Sequence, residues 1–265
     1  MQGQKKLSFS ALALSVWTAA LAESLEPGVS LRGMLLYGGL GALLLTGISA
    51  VLCVCWQQTA VRQVWLFAAV LGLLAEAFRT AMQAQSVCRQ EFHSMALIGL
   101  LPLLLWAGCR IPLSGWDAPA RVLWWFVLLG EGLCLAGIAS QMEWFHLLEP
   151  DAVQLARLPR VPLYAEYLLW PLLIEEPAPR RVLFLPWLTF FAQVCLAGGI
   201  CLVFGGTDYP EQELLRVWSV GIFSRMDALL LLIWLTCAVF RIGFLCAAAG
   251  ELWEKAANRR KGAAG

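Results

Sequence analysis

Residues 33–61 read GMLLYGGLGALLLTGISAVLCVCWQQTAV, and none of these side chains is charged. A second uncharged stretch covers residues 182–207. Each stretch is longer than the roughly 20 apolar residues that a helix needs to cross the hydrocarbon core of a bilayer. We therefore predict that both stretches form transmembrane helices.

The composition of the whole chain points in the same direction. Of the 265 residues, 60% are hydrophobic and 14% are charged, whereas a soluble domain carries about 25% charged residues. A surface this apolar is suited to lipid and not to water. The net charge is +1 and no basic stretch is interleaved with aromatic residues, so nothing indicates nucleic-acid binding.

Further apolar stretches extend the prediction to an all-α, polytopic transmembrane bundle of about eight helices. It forms one domain, residues 1–254, followed by a basic, solvated cytoplasmic tail, residues 255–265. The sixth span is too short to cross as a straight helix, so we expect a half-helix joined to a broken segment within the protein. The predicted spans are Leu7–Ala22, Gly33–Trp56, Val64–Ala84, Met95–Cys109, Val122–Gln141, Leu163–Ile174, Val182–Phe204 and Ile222–Ala249.

The distribution of lysine and arginine predicts the orientation. With the N-terminus inside, eleven basic residues fall on the cytoplasmic side and five or six on the opposite side, which places both termini in the cytoplasm. The first span has a second interpretation, because Lys5 and Lys6 precede an apolar run that ends in Ala20-Leu21-Ala22, a pattern also typical of a cleaved signal peptide. We favour a retained helix, since a multi-span protein needs no cleaved signal.

Motifs of soluble enzymes and metal sites are absent from the sequence. It contains no GxGxxG, GxxxxGK[ST], GxSxG or HExxH pattern. Most of the nine cysteines lie inside apolar runs, where a thiol packs as a small hydrophobe. We predict that the protein is not an enzyme and that it has no cofactor or metal site.

Six ionisable side chains interrupt the predicted spans, and each costs about 2.5–3.5 kcal/mol at the membrane centre on insertion scales. Glu76 and Arg79 are three residues apart on one helix face, where they can pair with each other or line a polar pathway. Glu131 has no charged neighbour in the sequence. It is expected either to be protonated or to bond with a polar group on a neighbouring helix.

Two more of the six lie in the last predicted span. Asp227 is near its outer end, and Arg241 follows fourteen residues later, which is about 21 Å along a helix. The two side chains are therefore too far apart to pair. Arg241 is expected to have another partner or to extend to the inner membrane surface.

The sixth of these residues, Glu166, lies in the short span beside Tyr164. Short, proline-interrupted spans point to the binding site in many transporters, so both residues are candidates for a ligand or proton site. Glu23, at the end of the first span, is a candidate for the mouth of a cavity, or for a solvated loop.

Three groups of residues resemble bacterial spore germination permeases, the B subunits of spore germinant receptors. Ser224-Arg225-Met226-Asp227-Ala228-Leu229, followed by Trp234 and Phe240-Arg241, resembles the family's eighth helix, in which a lysine usually stands where Arg241 is found. Gly115-Trp116-Asp117-Ala118-Pro119-Ala120-Arg121 is similar to the turn that enters helix five. Tyr164-Ala165-Glu166, Pro179-Arg180-Arg181 and Val203-Phe204-Gly205 are similar to helices six and seven. Together the motifs cover about residues 109–251.

The resemblance implies an amino acid–polyamine–organocation superfamily fold, whose ten helices form a LeuT-like five-plus-five inverted repeat. The eight predicted helices would be an incomplete version that lacks the last two. It implies a subunit of the inner spore membrane that binds a small nutrient such as an amino acid and signals to A-type and C-type partner subunits.

On this basis the ligand-facing candidates are Glu23, Glu76, Tyr164 and Glu166. The candidates for intramembrane charge or proton handling are Arg79, Glu131, Asp227 and Arg241. Two alternatives stay open, namely an active amino-acid or proton-coupled permease and a membrane scaffold subunit without a ligand.

Overall fold

The computed structural model describes residues 8–24, 31–55, 59–93, 95–139, 142–145, 164–169, 180–204 and 226–263. Within these ranges the chain is all-α and contains no strand, as predicted. A single α-turn, Leu31–Gly33, and a π-helical turn, Met34–Gly38, lead into the second helix, and two 3-10 turns cover Leu113–Trp116 and Ala165–Leu168. The helices are α1 (Phe9–Ser24), α2 (Gly39–Cys55), α3 (Thr59–Phe92), α4 (Ala96–Arg110), α5 (Asp117–Ile138), α6 (Arg180–Phe204) and α7 (Met226–Ala263).

Three helices extend beyond the spans predicted from hydropathy. Helix α3 begins at Thr59 and ends at Phe92. It continues past the apolar stretch because alanine, arginine and glutamine are also good helix formers. Helix α5 begins at Asp117, and Pro119 lies in its first turn, where a missing N–H breaks no intrahelical bond. Helix α7 continues to Ala263, through most of the predicted tail.

The lengths and hydropathies of the helices are those of a membrane protein. Among the described residues three helices are long and apolar enough to cross a bilayer, within Trp65–Arg89, Leu113–Gly137 and Leu229–Glu254. Four shorter apolar helical segments accompany them. Large apolar side chains point outward from several helices, where lipid would cover them. Examples are Leu36, Leu71, Trp125 and Leu129.

Helices α1 and α7 form the centre of the bundle. On α1 the side chains of Leu12, Leu14 and Val16 are no more than 1% exposed, and on α7 an almost unbroken buried run extends from residue 237 to 249. Helix α7 packs against α1, α3, α4 and α5, while α1 packs against α5, α6 and α7.

Helices α4 and α7 cross closely at two glycines. A Cβ atom on Gly108 would lie 2.9 Å from the carbonyl oxygen of Gly243. A Cβ atom on Gly243 would overlap the ring of Trp116, which packs edge-on against Phe240 with 5.4 Å between ring centroids. The absence of side chains at these two positions is therefore what allows the two backbones and the indole ring to pack together.

Candidate functional site

A cluster of charged side chains lies buried between α3, α7 and the 3-10 turn at Ala165–Leu168. Arg241 of α7 is 1% exposed, and its partner Glu166 is fully buried. The guanidinium donates from Nε to Glu166 Oε1 at 2.8 Å, and its Nη2 lies 2.7 Å from the same oxygen. Nη2 also lies 3.0 Å from Glu76 Oε2, and Nη1 donates to the hydroxyl of Thr80. Arg241 thus joins two carboxylates from distant parts of the sequence.

The predicted pair of Glu76 and Arg79 is present, with Arg79 Nε 3.7 Å from Glu76 Oε2. Glu76 is nevertheless closer to Arg241, so the local pair is part of a larger cluster of two guanidinium groups and two carboxylates without net charge. Such mutual pairing is what makes charges tolerable inside a protein. The alternative for Arg241, extension to the membrane surface, is wrong because its side chain is buried.

The chain around Glu166 departs from an α-helix. Tyr164 has extended dihedrals, φ −88° and ψ 128°, and the next four residues form the 3-10 turn. Irregular backbone inside a helical bundle is tolerated where protein surrounds it, and the side chains of Tyr164, Glu166 and Tyr167 are buried here. Gly72 of α3 permits the close approach, since a Cβ atom there would lie 3.3 Å from Ala165 Cβ. The described residues 164–169 are thus not α-helical, while residues 163 and 170–174 of the predicted sixth span lie outside the described residues.

A serine side chain also contacts the carboxylate of Glu166. Ser15 of α1 donates a hydrogen bond to Glu166 Oε1 at 3.0 Å. The second oxygen, Oε2, is buried and accepts no hydrogen bond from the residues that the structure describes. A buried carboxylate oxygen normally has a donor, so Oε2 is a position where a water molecule or a ligand N–H would be stabilised.

Next to this turn the polar side chains of α6 meet the two tyrosines. Gln193 Nε2 donates to Tyr164 Oη at 3.1 Å and to the Ala20 carbonyl oxygen at 3.2 Å. The hydroxyls of Tyr167 and Thr189 are 3.1 Å apart. These side chains form part of the lining of a cavity of about 10 Å³, which is close to what one water molecule needs. The cavity is lined by Gly38, Ala42, Leu45, Tyr164, Tyr167, Pro186, Thr189, Phe190 and Gln193.

Our sequence interpretation did not include Gln193, Thr189 or Tyr167 in the site. A signal for two of them was present, because Thr189 and Gln193 are four residues apart on one face of an otherwise apolar helix. The side chain of Tyr167 is 2% exposed and lies one position after Glu166. Since the outer face of a membrane helix is apolar, polar side chains at helical spacing indicate a face turned towards protein.

Glu131 lies in a separate place, between α5, α1 and α7. Trp17 Nε1 donates a hydrogen bond to its Oε1 at 2.5 Å, and the indole packs edge-on against Trp124 with centroids 5.5 Å apart. The thiol of Cys237 is close enough to interact electrostatically with the carboxyl group. The expected bond to a polar group on a neighbouring helix is therefore confirmed.

Two candidate residues are described only in part. Glu23 lies in the last turn of α1, and Asp227 is the second residue of α7. Their side chains lie outside the described residues. The structure thus brings together Glu76, Arg79, Tyr164, Glu166 and Arg241, and it places Glu131 apart from them.

Several residues of the three sequence motifs within residues 109–251 contact one another in the structure. Glu166 and Arg241 come from two different motifs and form the central ion pair. Asp117 and Arg121, from the motif that enters α5, are 2.5 Å apart at its first turn.

Comparison with protein-family models, with curated proteins and with solved structures finds no match to this chain.

Proposed function

We propose that the protein is a B-type membrane subunit of a spore germinant receptor. In this proposal it lies in the inner spore membrane with both termini in the cytoplasm, binds a small nutrient such as an amino acid beside Glu166, and signals to A-type and C-type subunits. The observation that carries the proposal is the buried carboxylate of Glu166. One of its oxygens is held by Arg241 and Ser15, and the other has no donor among the described residues.

An α-ammonium group is the ligand moiety that fits this oxygen. Hydrogen bonds between an ammonium and a carboxylate are charge-assisted and are about twice as strong as neutral ones. The adjacent cavity holds about one water molecule, so an amino acid requires a bundle conformation with more space. A ligand that binds this wider conformation better shifts the population towards it, which is the physical requirement for a signal.

Replacing Glu166 with glutamine is expected to raise the nutrient concentration for half-maximal germination at least tenfold. The loss of a hydrogen bond to a charged group costs about 1.5–3 kcal/mol, and each 1.4 kcal/mol corresponds to a factor of about ten. The measurement is a germination curve for spores whose only copy of the chain carries the substitution. The amount of the variant chain in the spore membrane is measured in parallel.

Two controls make this experiment specific. Glu254→Gln changes an exposed carboxylate on α7 and is expected to leave the curve unchanged. Gln193→Leu removes a polar group from the cavity wall without altering the charge cluster, so it is expected to raise the half-maximal concentration as well. An unchanged nutrient response of Glu166→Gln spores at a normal protein level would remove Glu166 from the site.

The proton-coupled amino-acid permease is a second candidate, and the intramembrane carboxyl group of Glu131 favours it. It predicts pH-dependent uptake of labelled amino acids into proteoliposomes, and no uptake under any gradient would exclude it. We prefer either of these functions to a scaffold without a ligand, because the buried Oε2 of Glu166 has no donor among the described residues.

A further inference from the structure

A third intramembrane carboxyl group, that of Glu131, lies in the second half of a long apolar helix. Its position is fourteen residues after the start of α5, or about 21 Å along the helix axis. Gly130, directly before it, allows Leu230 and Ile233 of α7 to approach α5, since a Cβ atom there would lie 3.0 and 3.5 Å from them. Glu131 is itself half-buried next to this contact, and its carboxyl group lies against Trp17 of α1.

No cation compensates Glu131 among the residues that the structure describes. Its hydrogen-bond donor is the indole N–H of Trp17, which is neutral. The described side chains of α1 include no titratable group. Helix α7 presents the thiol of Cys237, and Arg241 one turn further along is already engaged by Glu166 and Glu76.

The other titratable groups on the neighbouring elements are distant or neutral. Helix α6 contributes the thiols of Cys195 and Cys201. On α5 itself Asp117 pairs with Arg121. Arg121 is the nearer of the two to Glu131, and the distance between them along the helix is about 15 Å. Glu251 and Glu254 lie about 15–20 Å beyond Arg241 on α7.

We propose that Glu131 is a proton-binding site in the membrane-embedded part of the protein. A single neutral donor offsets little of the cost of an ionised carboxylate in an apolar setting, and such a group becomes neutral by taking up a proton. The proton adds to one carboxyl oxygen and no bond is broken. The other oxygen continues to accept the hydrogen bond from Trp17.

This site is distinct from the charge cluster around Glu166. The two carboxyl groups share no side-chain partner among the described residues, although both contact α1, through Trp17 for Glu131 and through Ser15 for Glu166. The proposal requires no ligand at Glu166 and therefore does not depend on the proposed function. A germination assay bears on Glu166 alone, whereas the test below bears on Glu131 alone.

Infrared difference spectroscopy of the full chain in lipid nanodiscs tests the proposal. At neutral pH the wild type minus Glu131→Gln spectrum is expected to contain the C=O stretch of a protonated carboxyl group, which disappears when the pH is raised. Trp17→Phe is expected to shift this band, because the hydrogen bond from the indole weakens the C=O bond. A difference spectrum that contains only ionised-carboxylate bands at every pH would overturn the proposal.

A chemical measurement on the wild type covers the case in which Glu131→Gln does not fold. A lipid-soluble carbodiimide reacts with protonated carboxyl groups, and peptide mass spectrometry locates the product. Modification is expected at Glu131, and its rate is expected to fall about tenfold for each pH unit once the group has begun to ionise. If the carbodiimide does not modify Glu131 at any pH in the same nanodiscs, this result also contradicts the proposal.

Discussion

Replacing Arg241 with methionine is expected to lower the free energy of unfolding by about 3–5 kcal/mol, which is the usual cost of removing one partner from a buried ion pair. Methionine fills much of the same volume, so the loss comes mainly from charge. Glu166 and Glu76 would be left inside the bundle without the guanidinium that now lies 2.7 and 3.0 Å away. The measurement is thermal or denaturant unfolding of the purified chain in nanodiscs.

Two further variants isolate the electrostatic cause. Arg121→Met breaks the pair with Asp117, in which the arginine side chain is 72% exposed, and the expected cost is about 0–1 kcal/mol. The double variant Arg241→Met, Glu166→Gln removes one charge of each sign, leaves Glu76 beside Arg79, and is expected to recover most of the lost stability. If Arg241→Met were no less stable than Arg121→Met, the cluster would not stabilise the bundle.

Replacing Gly243 with leucine is the second substitution for which we expect a large effect, a loss of about 1–3 kcal/mol or more through overpacking. The new side chain would overlap the ring of Trp116. The ring cannot easily move away, because it packs against Phe240 on the same helix. If α4 moved away from α7 to make room for the leucine, the close contact between Gly108 and Gly243 would be lost.

Glycines in open positions serve as the matched controls for this substitution. A Cβ atom on Gly132 or on Gly250 would meet no heavy atom within 4 Å. Alanine at these positions is expected to stabilise the helices by about 0.5–1 kcal/mol, because glycine costs backbone entropy in a helix. A double-mutant cycle of Gly243→Ala with Trp116→Ala measures the coupling, and a coupling of zero would contradict the steric explanation.

The residues of the charge cluster could be found from the sequence, but their pairing could not. A charge within an apolar span is visible at once, and helical spacing correctly predicted the contact between Glu76 and Arg79. Arg241 follows Glu76 by 165 residues, so its contact depends on how the helices pack and not on any local pattern. The donor to Glu131 was missed for the same reason, because Trp17 lies 114 residues away.

Hydropathy predicted where the helices are, but it did not predict where they end. The sequence prediction placed Val64–Ala84 in a span, whereas α3 extends over Thr59–Phe92. A hydropathy window responds to the apolar stretch that lipid would cover, while the helix continues through polar residues such as Gln85 and Arg89 that also favour it. The short non-α segment at Glu166 was predictable, because an apolar run too short for a span has to be supported by protein.

The late position of Arg241 in the chain has a consequence for biosynthesis. Arg241 follows Glu166 by 75 residues and Glu76 by 165. At about 5–20 residues per second, Glu166 leaves the ribosome about 4–15 s before its guanidinium partner, and Glu76 about 8–33 s before it. During this interval Glu166 is present without the guanidinium that it binds, whereas Glu76 already has Arg79 three residues after it. We therefore expect polypeptides that end before Met226 to have a shorter half-life in pulse-chase experiments than the full chain, and equal half-lives would contradict this order of assembly.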